Sequence, residues 1–177
     1  MNTAFWYASR ATGIVALLLL TAVLVLGILV NRQGRLPGLP RFAVTDIHRN
    51  LSLLSVAFIA VHILTAVADT YVHIPLLSAV VPFASGYERL WMSVGIVAGW
   101  AFVILGLSYY FRGRIGPQRW RKLHRFTALA WVLGVGHALM MGTDAGAAWF
   151  LVAAALVVVP AGALLVRRLI PAPAVPA

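Results

Sequence analysis

Residues 48–62 read HRNLSLLSVAFIAVH, and residues 124–137 read HRFTALAWVLGVGH. Each stretch opens on His-Arg, closes on His and is apolar in between. His48 and His62 are 14 residues apart, His124 and His137 are 13 apart, and together they make four of the chain's five histidines. On a helix these spacings are axial separations of about 21 Å and about 19.5 Å. Both fit within a hydrocarbon core of about 30 Å. Whether the flanking sequence can place these segments in a bilayer therefore decides the fold.

It can. Of the 177 residues, 62% are hydrophobic and 10% are charged, against about 45–50% and about 25% in soluble domains. The mean hydropathy is +0.94. The chain reads as an all-α integral membrane protein. Cysteine is absent, which excludes disulfides, Cys-ligated zinc, iron–sulfur clusters and thioether-attached haem. The gaps between charges give the spans. Arg10 to Arg32 leaves 21 residues, Arg49 to Asp69 leaves 19, and Arg89 to Arg112 leaves 22. Arg125 to Asp144 leaves 18, and Asp144 to Arg167 leaves 22. Each gap meets the length expected of a membrane helix. The prediction is five transmembrane helices near Ala11–Val30, Ile47–Ala68, Leu90–Phe111, Leu123–Met141 and Ala147–Val166. The first has too long an apolar stretch, and no cleavage pattern, to be a signal peptide.

Five spans would divide the basic residues 12 to 2. Arg10 and Arg89 fall on one side; Arg32, Arg35, Arg41, Arg49, the six basic residues of 112–125, Arg167 and Arg168 fall on the other. The positive-inside rule then puts the N-terminus outside and the C-terminus in the cytoplasm. The net charge of +10 belongs on this reading to topology and anionic lipid, with no nucleic acid as partner. Aromatics form a belt: Trp6, Tyr7, Tyr71, Tyr87, Trp91 and Trp149 at outer boundaries, Tyr109, Tyr110 and Trp120 at inner ones. Trp100 and Trp131 remain at membrane depth. Leu36–Pro40 is a turn-rich inner connection. Ile74–Phe83 is too short to span, carries Pro75 and Pro82, and reads as an interfacial or re-entrant piece capping the outer face. The organisation is a membrane domain over 1–168 and a disordered Pro/Ala tail over 169–177.

In this topology the second and fourth helices run in the same direction. His48 then shares the inner leaflet with His124, and His62 shares the outer leaflet with His137. A lone membrane histidine is most often a helix–helix hydrogen-bonding residue. Here that explanation would have to cover two matched depths and a local repeat. Zinc and copper normally want three or four protein ligands. Haem needs only two axial ones, so two imidazoles at each of two levels imply two b-type haems, held by His48 with His124 and by His62 with His137. With both axial positions filled, one-electron transfer is favoured over oxygen insertion. Gly134, Gly136, Ala57 and Ala60 lie beside the outer ligands and would admit a macrocycle. Thirteen residues leave His124 and His137 about 140° apart on a straight helix. The fourth helix must tilt, unwind near Gly134 and Gly136, or approach its two haems from different sides.

Supporting roles follow from charge. Haem propionates need basic partners: Arg49, Arg121 and Arg125 flank the inner ligands, Arg10 and Arg89 the outer level. The inner arginines also serve as positive-inside signals. Trp131, midway between His124 and His137, either shortens an electron jump or is a core aromatic. His73 is a surface residue or a metal or propionate contact. Asp69, Glu88 and Asp144 fall outside, where they would attract a cationic acceptor such as ferric iron.

The His48/His62 and His124/His137 pairs, with the opening Ser9-Arg10-Ala11-Thr12-Gly13, resemble the ferric reductase-like transmembrane family over residues 8–168. That family includes NADPH oxidases, ferric reductases and the membrane haem subunit serving periplasmic methionine sulfoxide reductase. Quinol-oxidising cytochromes b have closely similar pairs. The resemblance implies a two-haem electron carrier and makes Arg10 the residue near the outer haem. Family oxidases carry a further His four residues after the outer ligand of the first pair; here Ala66 stands there, which speaks against superoxide production. Many relatives add a flavin- and nicotinamide-binding domain after the last helix. This sequence ends eleven residues after Val166 without GxGxxG, so a separate electron donor, a flavoprotein reductase or a quinol, is expected. The expected function is electron transfer from a cytoplasmic or quinone-side donor to an extracytoplasmic acceptor, in the cell membrane. The alternatives are a quinol-linked cytochrome b and a non-catalytic haem-binding scaffold.

Overall fold

The computed structural model describes residues 3–31, 38–141 and 144–170. Most of the expected 169–177 tail and part of the 36–40 turn lie outside the described residues. Among those described, every regular element is helical. Four helices are long and apolar enough to cross a membrane: α1 (Ala4–Asn31), α2 (Arg41–Ala68), α4 (Arg89–Leu107) and α8 (Ala148–Leu169). Between them lie the short α3 (Leu76–Val80), α5 (Arg112–Ile115) and α6 (Pro117–His124), and the 14-residue α7 (Thr127–Met140).

The expected continuous helix over Leu123–Met141 is broken. α6 ends at His124, and Arg125 and Phe126 form a turn before α7 starts at Thr127. Through this turn the backbone bonds shorten to the i to i+3 pattern. Arg125 N–H donates to Lys122 O, Phe126 N–H to Leu123 O and Ala128 N–H to Arg125 O, at 3.3, 3.0 and 3.2 Å. The Thr127 hydroxyl donates to the His124 carbonyl at 2.7 Å. Each tightened residue turns the chain by about 120° instead of about 100°. Three or four such residues recover about 60–80° of the angle between His124 and His137. The 13-residue spacing is thus accommodated at Arg125–Phe126, and not at Gly134 and Gly136, which lie within α7.

α1 and α2 start earlier than charge gaps suggest, because Arg10 and Arg49 sit inside helices. α4 stops at Leu107 rather than Phe111, and Ser108 to Phe111 turn the chain toward α5. α1 packs along α2 and also touches α7 and α8; α4 packs along α7. The buried core is where α1, α7 and α8 meet: Leu24, Ile28, Trp131, Val135 and Ala161. Trp131 Nε1–H donates to Thr21 Oγ1 at 3.0 Å, and the Thr21 hydroxyl donates to Leu17 O at 2.7 Å. An indole in an apolar core thereby keeps its polar atom satisfied.

The 74–83 segment runs down beside α4. Phe83 N–H donates to Ser93 Oγ at 2.7 Å, while Trp100 Nε1–H donates to Val80 O at 2.8 Å. Trp100 is seven residues below Ser93, about 10 Å along the helix, so Val80 lies deeper than Phe83. α3 contacts both α2 and α4 and covers the seam between them. Of the two expected forms, interfacial or re-entrant, the segment takes a course along α4 from the level of Ser93 to that of Trp100.

Trp131→Ala should destabilise the bundle by about 3–5 kcal/mol, the range for emptying a buried aromatic site. Thr21→Val, which removes the hydroxyl that accepts from Trp131 and donates to Leu17 O but keeps the ring, should cost about 1 kcal/mol. Reversible unfolding in mixed micelles measures both; equal losses would show that the hydrogen bond, not the packed ring, carries the contribution.

Candidate functional site

The structure brings the histidines together in the two expected pairs. The rings of His48 and His124 have centroids 6.3 Å apart with planes at 79°. Those of His62 and His137 are 6.3 Å apart at 80°. Two imidazole nitrogens, each about 2.0–2.1 Å from one metal atom between them, would set the ring centroids about 6.3 Å apart. The two levels are therefore spaced for a metal with an imidazole on either side. Neither α6 nor α7 packs along α2. Among the described residues no cluster of three or more His, Cys, Asp or Glu forms. Two protein ligands per level suit a haem, whose macrocycle supplies the rest, and not zinc.

Ring orientation is set from outside the pairs. His62 Nδ1–H donates to Ser9 O at 2.8 Å, and His48 Nδ1–H to Val23 O at 3.1 Å, both on α1. His137 Nδ1–H donates to Trp91 O on α4 at 2.8 Å. A carbonyl only accepts, so each bond places the ring proton on Nδ1 and leaves the Nε2 lone pair for ligation. His124 differs. Its Nδ1 is buried with no partner among the described residues, and its ring stacks on Trp120 at 4.9 Å and 22°. Trp120 is held in turn by Nε1–H donation to Ser108 Oγ at 3.2 Å.

The other sequence-predicted residues are distributed less simply. Arg10 forms an ion pair with Asp144 and lies 4.1 Å over the Trp6 ring. Asp144 is thus an internal counter-charge. Asp69 is also internal: it is buried, and its Oδ2 accepts the backbone N–H groups of Tyr71 and Val72 beyond the α2 C-terminus. Of the three outer acids proposed to attract a cation, Glu88 alone is exposed. Arg49 pairs with Asp46 at 3.3 Å on the exposed face of α2. Arg121 and Arg125 are exposed, Arg125 in the turn after His124. Arg89 Nε–H donates to Phe83 O at 2.9 Å. Trp131 is in the core and hydrogen-bonded to Thr21, which is its packing role. His73 is exposed with φ 53°. Gly134 and Gly136 face Phe102 and Trp91, and Ala57 and Ala60 are exposed.

Two features escaped the sequence reading. Arg168, near the end of α8, lies close enough to His124 to act on it electrostatically; nothing in the sequence separates it from the other basic residues that the positive-inside rule groups with it. Gly13, Gly27 and Gly95 lie against the rings of His62, His48 and His137. Here there was a signal, since Gly13 and Gly27 repeat the 14-residue spacing of the α2 histidines.

Residues 12–135 match the family model described as ferric reductase like transmembrane component. The matched stretch contains His48, His62 and His124 and ends two residues before His137. No curated protein and no solved structure matches the chain.

The Arg10–Asp144 pair joins the start of α1 to the segment before α8 and is partly buried. Arg10→Gln or Asp144→Asn alone should each destabilise by about 1–3 kcal/mol, between the exposed and fully buried limits. The double variant should lose less than the sum. Additive losses in an unfolding cycle would show that the two charges do not act on each other.

Proposed function

We propose, because the chain belongs to the ferric reductase-like transmembrane family, that it is the membrane haem subunit of an electron-transfer system. The observation that carries this is the pair of matched imidazole couples, each 6.3 Å between centroids, at two depths of one helical bundle. His48 and His124 would hold one haem b and His62 and His137 a second. Bound between two imidazoles, each haem supplies reversible one-electron chemistry with no open coordination position. The chain's own residues do the rest. Backbone carbonyls on α1 and α4 fix three of the four ligand rings. Arg10, held by Asp144, is the basic group we assign to the outer level; Arg49, Arg125 and Arg168 are those of the inner level.

The reading includes five spans, with α6 and α7 together forming the fourth. α7 alone, about 21 Å long, is shorter than a hydrocarbon core of about 30 Å. The N-terminus lies outside and the C-terminus in the cytoplasm of a plasma or inner membrane on this reading, an orientation that the 12 to 2 division of basic residues supports. A separate flavoprotein or quinol donor then reduces the inner level, and an extracytoplasmic acceptor is served from the outer one.

Two measurements test this. A pyridine haemochrome assay on fully loaded protein should give two haems b per chain; one would sink the stacked arrangement. Ring planes near 80° should give strongly anisotropic low-spin ferric signals, one of which disappears in His62→Ala and the other in His48→Ala. Loss of the same spectral component in both variants would contradict two separate levels. For orientation, a C-terminal reporter active only in the cytoplasm is expected, and activity outside would reverse the inner and outer labels.

A further inference from the structure

The three ring-fixing hydrogen bonds share one construction. The acceptor carbonyl and the glycine against the ring are always four residues apart: Ser9 with Gly13, Val23 with Gly27, and Trp91 with Gly95. In a helix, residue i+4 stands one turn above carbonyl i and on the same face. That carbonyl already accepts the i+4 N–H and has a second lone pair to offer. A side chain at i+4 would block the approach to it. A Cβ at Gly13 would meet Cε1 and Nδ1 of His62 at 3.0 Å, and one at Gly27 would meet Cε1 of His48 at 3.2 Å. A Cβ at Gly95 would lie 2.3 Å from Nδ1 of His137. In each case the Nδ1–Cε1 edge of the imidazole occupies the space where a methyl group would be.

We infer that Gly13, Gly27 and Gly95 are positioning residues that notch α1 and α4, so that His62, His48 and His137 each bond a carbonyl one turn before the notch and present Nε2 to the facing imidazole. His124 has no such notch. Thirteen residues on from Gly95, where a fourth would fall, α4 has ended and Ser108 stands instead. There the Ser108–Trp120 bond holds a flat indole against the ring, and Trp120 takes over the positioning role. The outer level thus has two notched ligands and the inner level one notched and one stacked. This deepens the reading of the four histidines as haem ligands and rests on it.

The test is a set of alanine substitutions in the full chain, read by haem content and by the low-spin ferric signals of the two levels. Gly13→Ala and Gly95→Ala should alter or lose the outer signal. Gly27→Ala and Trp120→Leu should do so for the inner one. Affinity at the affected level should fall roughly 10–100-fold, the usual effect of losing the partner that orients a metal ligand. Trp120→Phe, which keeps an aromatic plate, should preserve the inner signal. Gly99→Ala, whose added Cβ meets nothing within 4 Å, should leave both signals unchanged. The untouched level in each variant reports that the bundle has folded. Where Gly95→Ala is too disruptive to accumulate, the milder contact in Gly13→Ala carries the outer arm. Unaltered signals in Gly13→Ala and Gly27→Ala, with two haems in the parent, would overturn the notches and leave the ligand reading standing. The same is true if each glycine variant disturbs both levels equally. A parent protein that binds no haem would overturn both.

Discussion

An imidazole placed between membrane helices has one ring nitrogen to bind with and one N–H to satisfy, and no water nearby to satisfy it. For three of the four rings the acceptor is a backbone carbonyl already engaged in its own helix, with the Ser9 hydroxyl also 3.3 Å from the His62 Nδ1. Bonding to the second lone pair of such a carbonyl is possible only where the helix surface is low enough for a ring to reach it. This requirement ties α1 to α2 at two points, Ser9–His62 and Val23–His48, 14 residues apart on each helix. It ties α4 to α7 at Trp91–His137. The antiparallel register of these packed helix pairs is then fixed by the histidine side chains. A one-residue slip of α1 on α2 would move both carbonyls by about 100° around the helix and lose both bonds together.

The charges obey the same economy. Arg10 ends the apolar stretch of α1 on paper, yet it lies within the helix because Asp144 neutralises it and Trp6 offers its ring face. Asp69, buried after α2, spends one carboxylate oxygen on the turn that follows. Two outer acids that looked like a surface attractor are therefore parts of the framework. The basic residues of α5 and α6 remain mostly exposed, as expected of groups that set topology and meet lipid headgroups.

How much of this was legible depended on the range of the interaction. The spacing of the four histidines is periodic, and periodicity survives tertiary context; the two facing pairs could be read from it. The membrane class followed from composition, and apolar runs located the four long helices. The helix ends were missed where a charge 134 positions away compensates one that seemed to mark a boundary. The break after His124 was missed because Arg125-Phe126-Thr127 contains no glycine or proline; only the Thr127 hydroxyl, which captures the His124 carbonyl, hints at it, and hydroxyls do so in many unbroken helices. In the sequence Gly134 and Gly136 stand next to His137 on α7, whereas the glycines against the rings stand on the neighbouring helices. Their spacing was visible, but glycine is common in membrane helices and its partner was not.

The break and the early end of α4 are linked through His124. Because α4 stops at Leu107, its carbonyl ladder does not extend to the fourth ring, and the Nδ1 of His124 has no partner among the described residues. An unpaired buried polar atom costs about 1–3 kcal/mol. Stacking on Trp120 offsets about 0.5–1.5 kcal/mol of that. The balance leaves His124 short of the Nδ1 bond that His48, His62 and His137 each make. Stacking restrains the turn of the ring about Cβ–Cγ but, unlike a carbonyl, does not decide which ring nitrogen carries the proton. Of the four histidines, His124 is accordingly the one whose plane is set by Trp120 and whose tautomer is set least by the surrounding backbone.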